Sequence, residues 1–190
     1  MTRELAEQVV ADPRHEGVVR AADNLMRRVR EGKDGSVYVV NTAGVNLSSS
    51  CLAKIFGPVL RAVVRGEVPG RYVVGEDVSG SNDWEVDAAL RKLSAQHGEK
   101  LVLVWSGISG VPDLVGPVDP QVEETYRFVT REWSRHGGAT ARQLAEEQGD
   151  LTIQAASNRF AKAASLGLIH AATRESVPGG GSQNVYVPVW

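Results

Sequence analysis

Three short apolar runs rich in β-branched residues, 36–40, 71–74 and 100–105, punctuate the first part of the chain, with a helical stretch between each pair. This alternation is the strongest constraint on the fold. Parallel strands need a long crossover, and a helix serves best because it buries its own apolar stripe on the sheet. Residues 2–30 carry helical periodicity in two pieces split by Asp12 and Pro13, the second with Val18, Ala22, Leu25 and Val29. Residues 51–64 keep the rhythm through Leu52, Ile55, Phe56, Val59, Leu60 and Val63 despite Pro58, and residues 83–96 offer Trp84, Val86, Ala89, Leu90 and Leu93 for packing. The expectation is an α/β domain with a mostly parallel or mixed sheet covered by helices.

The alternation stops at residues 106–117, where Gly107, Gly110, Pro112, Gly116 and Pro117 read as a loop or domain linker. A chain of 190 residues is long enough for two small domains, and this segment divides it into 1–116 and 117–190. Beyond it the pattern is α+β. Asp119 and Pro120 make an N-cap and first helical position for a helix with the stripe Val122, Tyr126, Val129 and Trp133, ending at Gly137 and Gly138. Thr140 caps a second helix over 141–148, and Thr152 caps a third over 153–166. Two strands follow, 168–173 and 184–189, joined by a loop containing residues 178–181 whose glycine run reads as a hairpin tip.

The 21 basic and 23 acidic residues nearly cancel, for a net charge of −2, so any binding to nucleic acid is local. Cys51 is the single cysteine, which excludes an internal disulfide and a multi-thiolate zinc site. With scattered acids, no apolar core at the start, and no apolar run longer than LVLVW, the expected setting is cytoplasmic, with no membrane partner. His15, His97, His136 and His170 lack metal-ligand spacing, and no Walker A, GxSxG, HExxH or dinucleotide fingerprint occurs. No enzymatic activity, metal or cofactor is expected, and Cys51 reads as packing rather than as a nucleophile.

The segment TARQLAEEQGDLTIQAASNRFAKAASLGLI, 140–169, resembles the winged helix-turn-helix of MarR-like and ArsR-like regulators, and the resemblance runs from Asp119 through the hairpin. It implies that the helix after Thr152 is a recognition helix and the hairpin a wing. At about 100° per residue, Ile153, Ala156, Phe160, Ala163 and Ala164 share one buried face, leaving Gln154, Ala155, Asn158, Ala161 and Lys162 outside. Gln154 and Asn158 suit paired contacts to adenine, Arg159 and Lys162 suit phosphate or guanine, and Thr152 stands at the anion-attracting helix start. Arg174 in the wing reaches backbone or minor groove in this reading. Residues 118–190 hold seven basic and eight acidic side chains, a lean supply for phosphate contacts that a homodimer would double.

The segment VYVVNTAGVNLSSSCLAKIFGPVL, 37–60, followed by YVVGED, 72–77, resembles the STAS-like fold. In partner-switching relatives a serine at this helix start can be phosphorylated, a role Ser49 or Ser50 would inherit; the local alternative is that these serines, which with Ser48 stand at the N-cap position, only cap the helix. The loop GEDVSGSND, 75–83, follows a strand at the sheet edge where α/β proteins bind ligands, so Glu76, Asp77 and Asp83 are candidates for a cation or polyol. Together the resemblances imply a bacterial-type transcriptional regulator that binds double-stranded DNA and uses its first domain for sensing or a protein partner. The alternative is a non-catalytic adaptor that docks proteins through both domains.

Overall fold

The computed structural model describes residues 15–177 and 181–190. The glycine-run tip and the first helical piece of the sequence reading therefore lie, in whole or in large part, outside the described residues. The chain divides into two compact units, one ending at Val118 and the other running Asp119–Val189. Across them the described residues form a mixed α/β structure with six helices, a mixed four-stranded sheet and a small antiparallel sheet.

In the first unit the order is α1 (His15–Glu31), β1 (Val37–Asn41), α2 (Ser49–Val64), β2 (Tyr72–Glu76), α3 (Asp83–His97), β3 (Leu103–Ser106) and β4 (Pro112–Val115). The strands lie side by side in chain order, β1 to β3 parallel and β4 antiparallel to β3. The helices pack on the face that carries Tyr38, Val40, Val73, Leu103 and Trp105, and the buried centre is Phe56, Leu52, Ile55 and Leu90. Gly75 sits on this face directly beside Trp105, whose ring a Cβ at Gly75 would meet at 2.2 Å. The ring takes the place of a side chain, and Phe56 meets it edge-on at 6.1 Å between centroids.

The segment read from sequence as a linker proves to contain β4. Pro112 is tolerated there because it opens an edge strand, where a missing N–H removes little from the ladder. Gly116 ends the strand with φ 106°, and a Cβ on it would lie 2.4 Å from the Leu101 carbonyl oxygen, so only glycine fits this close approach. Ile108 and Val111, in the β3–β4 turn, are 73% and 65% exposed. Within residues 106–117, limited elastase digestion followed by mass spectrometry should therefore cut at the turn and spare 112–115. A first cut inside 112–115 would show that β4 is not held in the sheet.

The second unit contains α4 (Pro120–His136), α5 (Ala141–Gln148), α6 (Ile153–Ser165), β5 (Ile169–Ser176) and β6 (Ser182–Pro188). Local chemistry sets its helix ends. Asp119 accepts from the Gln121 N–H, Thr140 and Gln143 form a reciprocal capping box, and Thr152 accepts from the Ala155 N–H. The C-terminus of α4 closes on Gly137 in the left-handed conformation. The β5–β6 hairpin carries a bulge at Ala172 and gains a bridge from Ala139 to Tyr186. Three residues assigned to packing stripes are instead exposed: Trp84, Trp133 and Ile153. Each lies at or near a helix end, where the stripe continues past the surface that covers it.

Candidate nucleic-acid interface

Phe160 determines how α6 is rotated. Its ring is fully buried, 6.4 Å from Phe128 of α4 and 4.8 Å from Tyr186 of β6, with Ala156 and Ala163 buried on the same side. The opposite side is left in solvent and carries Gln154, Asn158, Ala161 and Lys162, with Ala155 half-buried at its border. Gln154 donates to the Asn158 side-chain oxygen at 3.1 Å, so the two amides form one polar ridge.

The cations placed on this helix by sequence have partners inside the fold. Arg159 donates to Glu124 and to Gln148, both at 3.1 Å, and so ties α6 to α4 and to the end of α5. Lys162 meets Asp119 at 2.9 Å, while the other carboxylate oxygen of Asp119 caps α4. Both pairs hold α6 in place, and each costs the outer face a positive charge. Thr152 caps α6 and is exposed. On β5, Arg174 donates to the Asn184 side chain across the hairpin at 3.1 Å.

Sequence reading missed Arg142. It is the second residue of α5, half-buried, with an enclosed Nε that has no hydrogen-bond partner. Glu146 stands four residues on, the spacing of a helical ion pair, and read from sequence it would have been the partner. No such pair forms.

In the first unit, three consecutive serines compete for the start of α2. The cap is Ser48, whose hydroxyl accepts from the Cys51 N–H at 3.3 Å; Ser49 and Ser50 are the first two helical residues. Of the three serines at the cap position the fold selects Ser48, which corrects the candidacy of Ser49 and Ser50 as caps. The Ser49 N–H is satisfied by Glu85 of α3 at 2.9 Å, so a carboxylate already occupies the helix start beside it. Ser48→Ala should lower stability by about 1 kcal/mol, with Ser48→Asp retaining it and Ser50→Ala nearly neutral in thermal melts. An equal loss at Ser50 would place the cap elsewhere.

The acidic loop is organised inward. Asp77 is fully buried and accepts from the backbone N–H groups of Ser79 and Asn82 and from the Ser79 and Ser81 hydroxyls. Burial pushes its carboxyl up, but these hydrogen bonds outweigh burial and hold it below the usual aspartate value. Asp83 accepts from the Trp105 indole N–H at 2.8 Å, and Glu76 accepts from the Asn41 amide at 3.2 Å. Each of the three carboxylates thus serves a separate partner. Among the described residues no group of three His, Cys, Asp or Glu side chains is placed to hold a metal ion, and no helix is long and apolar enough to cross a membrane.

No family model matches this chain, and no curated protein or solved structure matches it.

Proposed function

We propose that the chain is a DNA-binding transcriptional regulator in which the second unit acts as a winged helix and the first, STAS-like unit receives a signal or a protein partner in the cytoplasm. The reading rests on one observation: α6 presents Gln154 and Asn158 as an uncovered amide ridge, while its charged neighbours Arg159 and Lys162 hold the helix to α4 and α5. Paired amide donors and acceptors on an exposed helix are the chemistry that reads adenine in a major groove. Arg159 and Lys162 act in this reading as braces, which shifts direct base contact to Gln154 and Asn158.

The test is selection of duplex DNA from a random pool with the full chain, followed by gel shift on the enriched site. Gln154→Ala with Asn158→Ala should lower affinity for that site by about 1 to 3 kcal/mol per lost base contact and leave melting unchanged, because both side chains are exposed. A paired motif in the selected sites would indicate a homodimer. Unchanged affinity in the double variant would remove α6 as the reading element.

An adaptor reading is favoured by a different feature. Val78, Trp84, Ile108 and Val111 are all exposed large apolar side chains of the first unit, and Trp84 is 80% exposed. A Cβ at Gly80 would lie 2.9 Å from Ile108 Cβ, which puts the β2–α3 loop against the β3–β4 turn. Apolar residues gathered this way suit a protein partner. Failure of the selection to enrich any duplex would favour this second function.

A further inference from the structure

Seven basic residues lie in 118–190, and four of them are ion-paired: Arg127 with Glu123, Arg131 with Glu132 and Glu147, Arg159 with Glu124, and Lys162 with Asp119. Among the described residues, Arg135, Arg142 and Arg174 have no carboxylate within ion-pair distance. Arg135 lies in the last turn of α4, where a cation is favourable by itself. The other two come from separate elements, α5 and β5, yet line one groove of about 420 Å³.

The rest of the groove matches them. Ser157 of α6 and Ser182, Gln183 and Asn184 of β6 supply hydroxyl and amide groups, Gln183 also donating to Glu175 across the hairpin, and no acidic side chain is among the described residues that line it. Arg142 Nε is enclosed without an acceptor, so an anion in the groove would meet the other nitrogens of this guanidinium. The volume is that of a ligand of many atoms rather than of a single ion. Ile153 stands exposed at the edge, an apolar surface that a solvated anion does not need and a sugar ring does.

We infer that this groove is a seat for one phosphodiester of the DNA backbone, with Arg142 and Arg174 on either flank and the serine and amide groups of α6 and β6 donating to its oxygens. The inference rests on the DNA-binding reading and adds a backbone anchor that involves neither Gln154 nor Asn158. Guanidinium forks match phosphate oxygens bidentately, and a diester neutralised here releases condensed counterions.

The experiment measures binding of the full chain to a fluorescent duplex of mixed sequence across a salt series. Arg142→Gln and Arg174→Gln should each weaken binding about tenfold, equally on all sequences, and lower the slope of log affinity against log salt by about one. Arg135→Gln, which removes an unpaired charge outside the groove, should leave both quantities near wild type. Circular dichroism melts establish that each variant is folded. Wild-type binding with an unchanged Arg142→Gln affinity would overturn the seat while leaving the DNA-binding reading intact. Equal losses in all three variants would also overturn it, since net charge alone would then account for the effect. If the wild type binds no duplex, the DNA-binding reading and the diester seat fall together. A parallel melt with inorganic phosphate separates the sources: stabilisation of wild type but not of Arg142→Gln, with no duplex binding, would mark a free-phosphate site and overturn the diester assignment.

Discussion

Phe160→Ala should destabilise the second unit by about 3 to 5 kcal/mol and, on the proposed DNA-binding reading, abolish duplex binding with it. The ring is fully buried between Phe128 and Tyr186, and it joins α6 to α4 and to the hairpin at once. Truncation would leave a cavity lined by two aromatic rings that cannot both move inward, since Phe128 is held on α4 and Tyr186 by its bridge to Ala139. For a unit this small, such a loss is a large share of total stability. Calorimetry of the full chain should show the affected transition moved down by many degrees, whereas Phe160→Leu, which keeps most of the volume, should show a smaller shift. A melting profile unchanged by Phe160→Ala would mean that α6 is not anchored by this ring.

The second large effect is expected at Asp77. Its carboxylate gathers Ser79, Ser81 and the Asn82 N–H, and Asn82 in turn accepts from the Leu47 N–H and donates to Thr42 and to the Val45 carbonyl. One buried acid thus joins the loop after β1 to the loop after β2. Asp77→Ala orphans the buried Asn82 N–H and loosens that pair of loops, at an expected cost of about 2 to 4 kcal/mol. The pH dependence has a definite sign. Because the folded carboxyl lies below its unfolded value, its contribution is fully present above about pH 4 and is lost as pH falls further, through the folded value. Glu99, held low by Arg65 and Arg61, acts in the same direction. Urea titrations at a series of pH values should show the acid-side loss reduced in Asp77→Asn. An acid limb of the same steepness in that variant would assign the sensitivity to other groups.

Features readable in advance were those decided within one turn of chain. Asp119, Thr140 and Thr152 cap helices because the acceptor and the free N–H groups it serves lie two or three residues apart. The alternation of apolar strands and helical stretches likewise implied a helix-covered sheet, since the stripe of α2 and the runs of β1 to β3 are periodic in themselves. The start of α2 was harder. Any of three adjacent serines can cap, and the choice of Ser48 follows from contacts distant in sequence: Asn82 holds the Leu47 N–H and Glu85 takes that of Ser49.

By itself, the sequence determined where the helices of the second unit begin and end, which residues have apolar periodicity, and that the pattern changes near residue 118. Tertiary structure alone decided which polar groups meet. Pro112 to Val115 became a strand because β3 offered an open edge, a pairing that no local propensity encodes. Arg159 and Lys162 became braces because α4 brings Glu124 and Asp119 beside them from 35 and 43 residues away. Arg142, with Glu146 at pairing distance along its own helix, became one of two cations without an ion pair that line a groove. The physical reason is common to all three. Periodicity and capping depend on neighbours along the chain, whereas the partner of a strand edge or a charge is set by which segments folding packs against it.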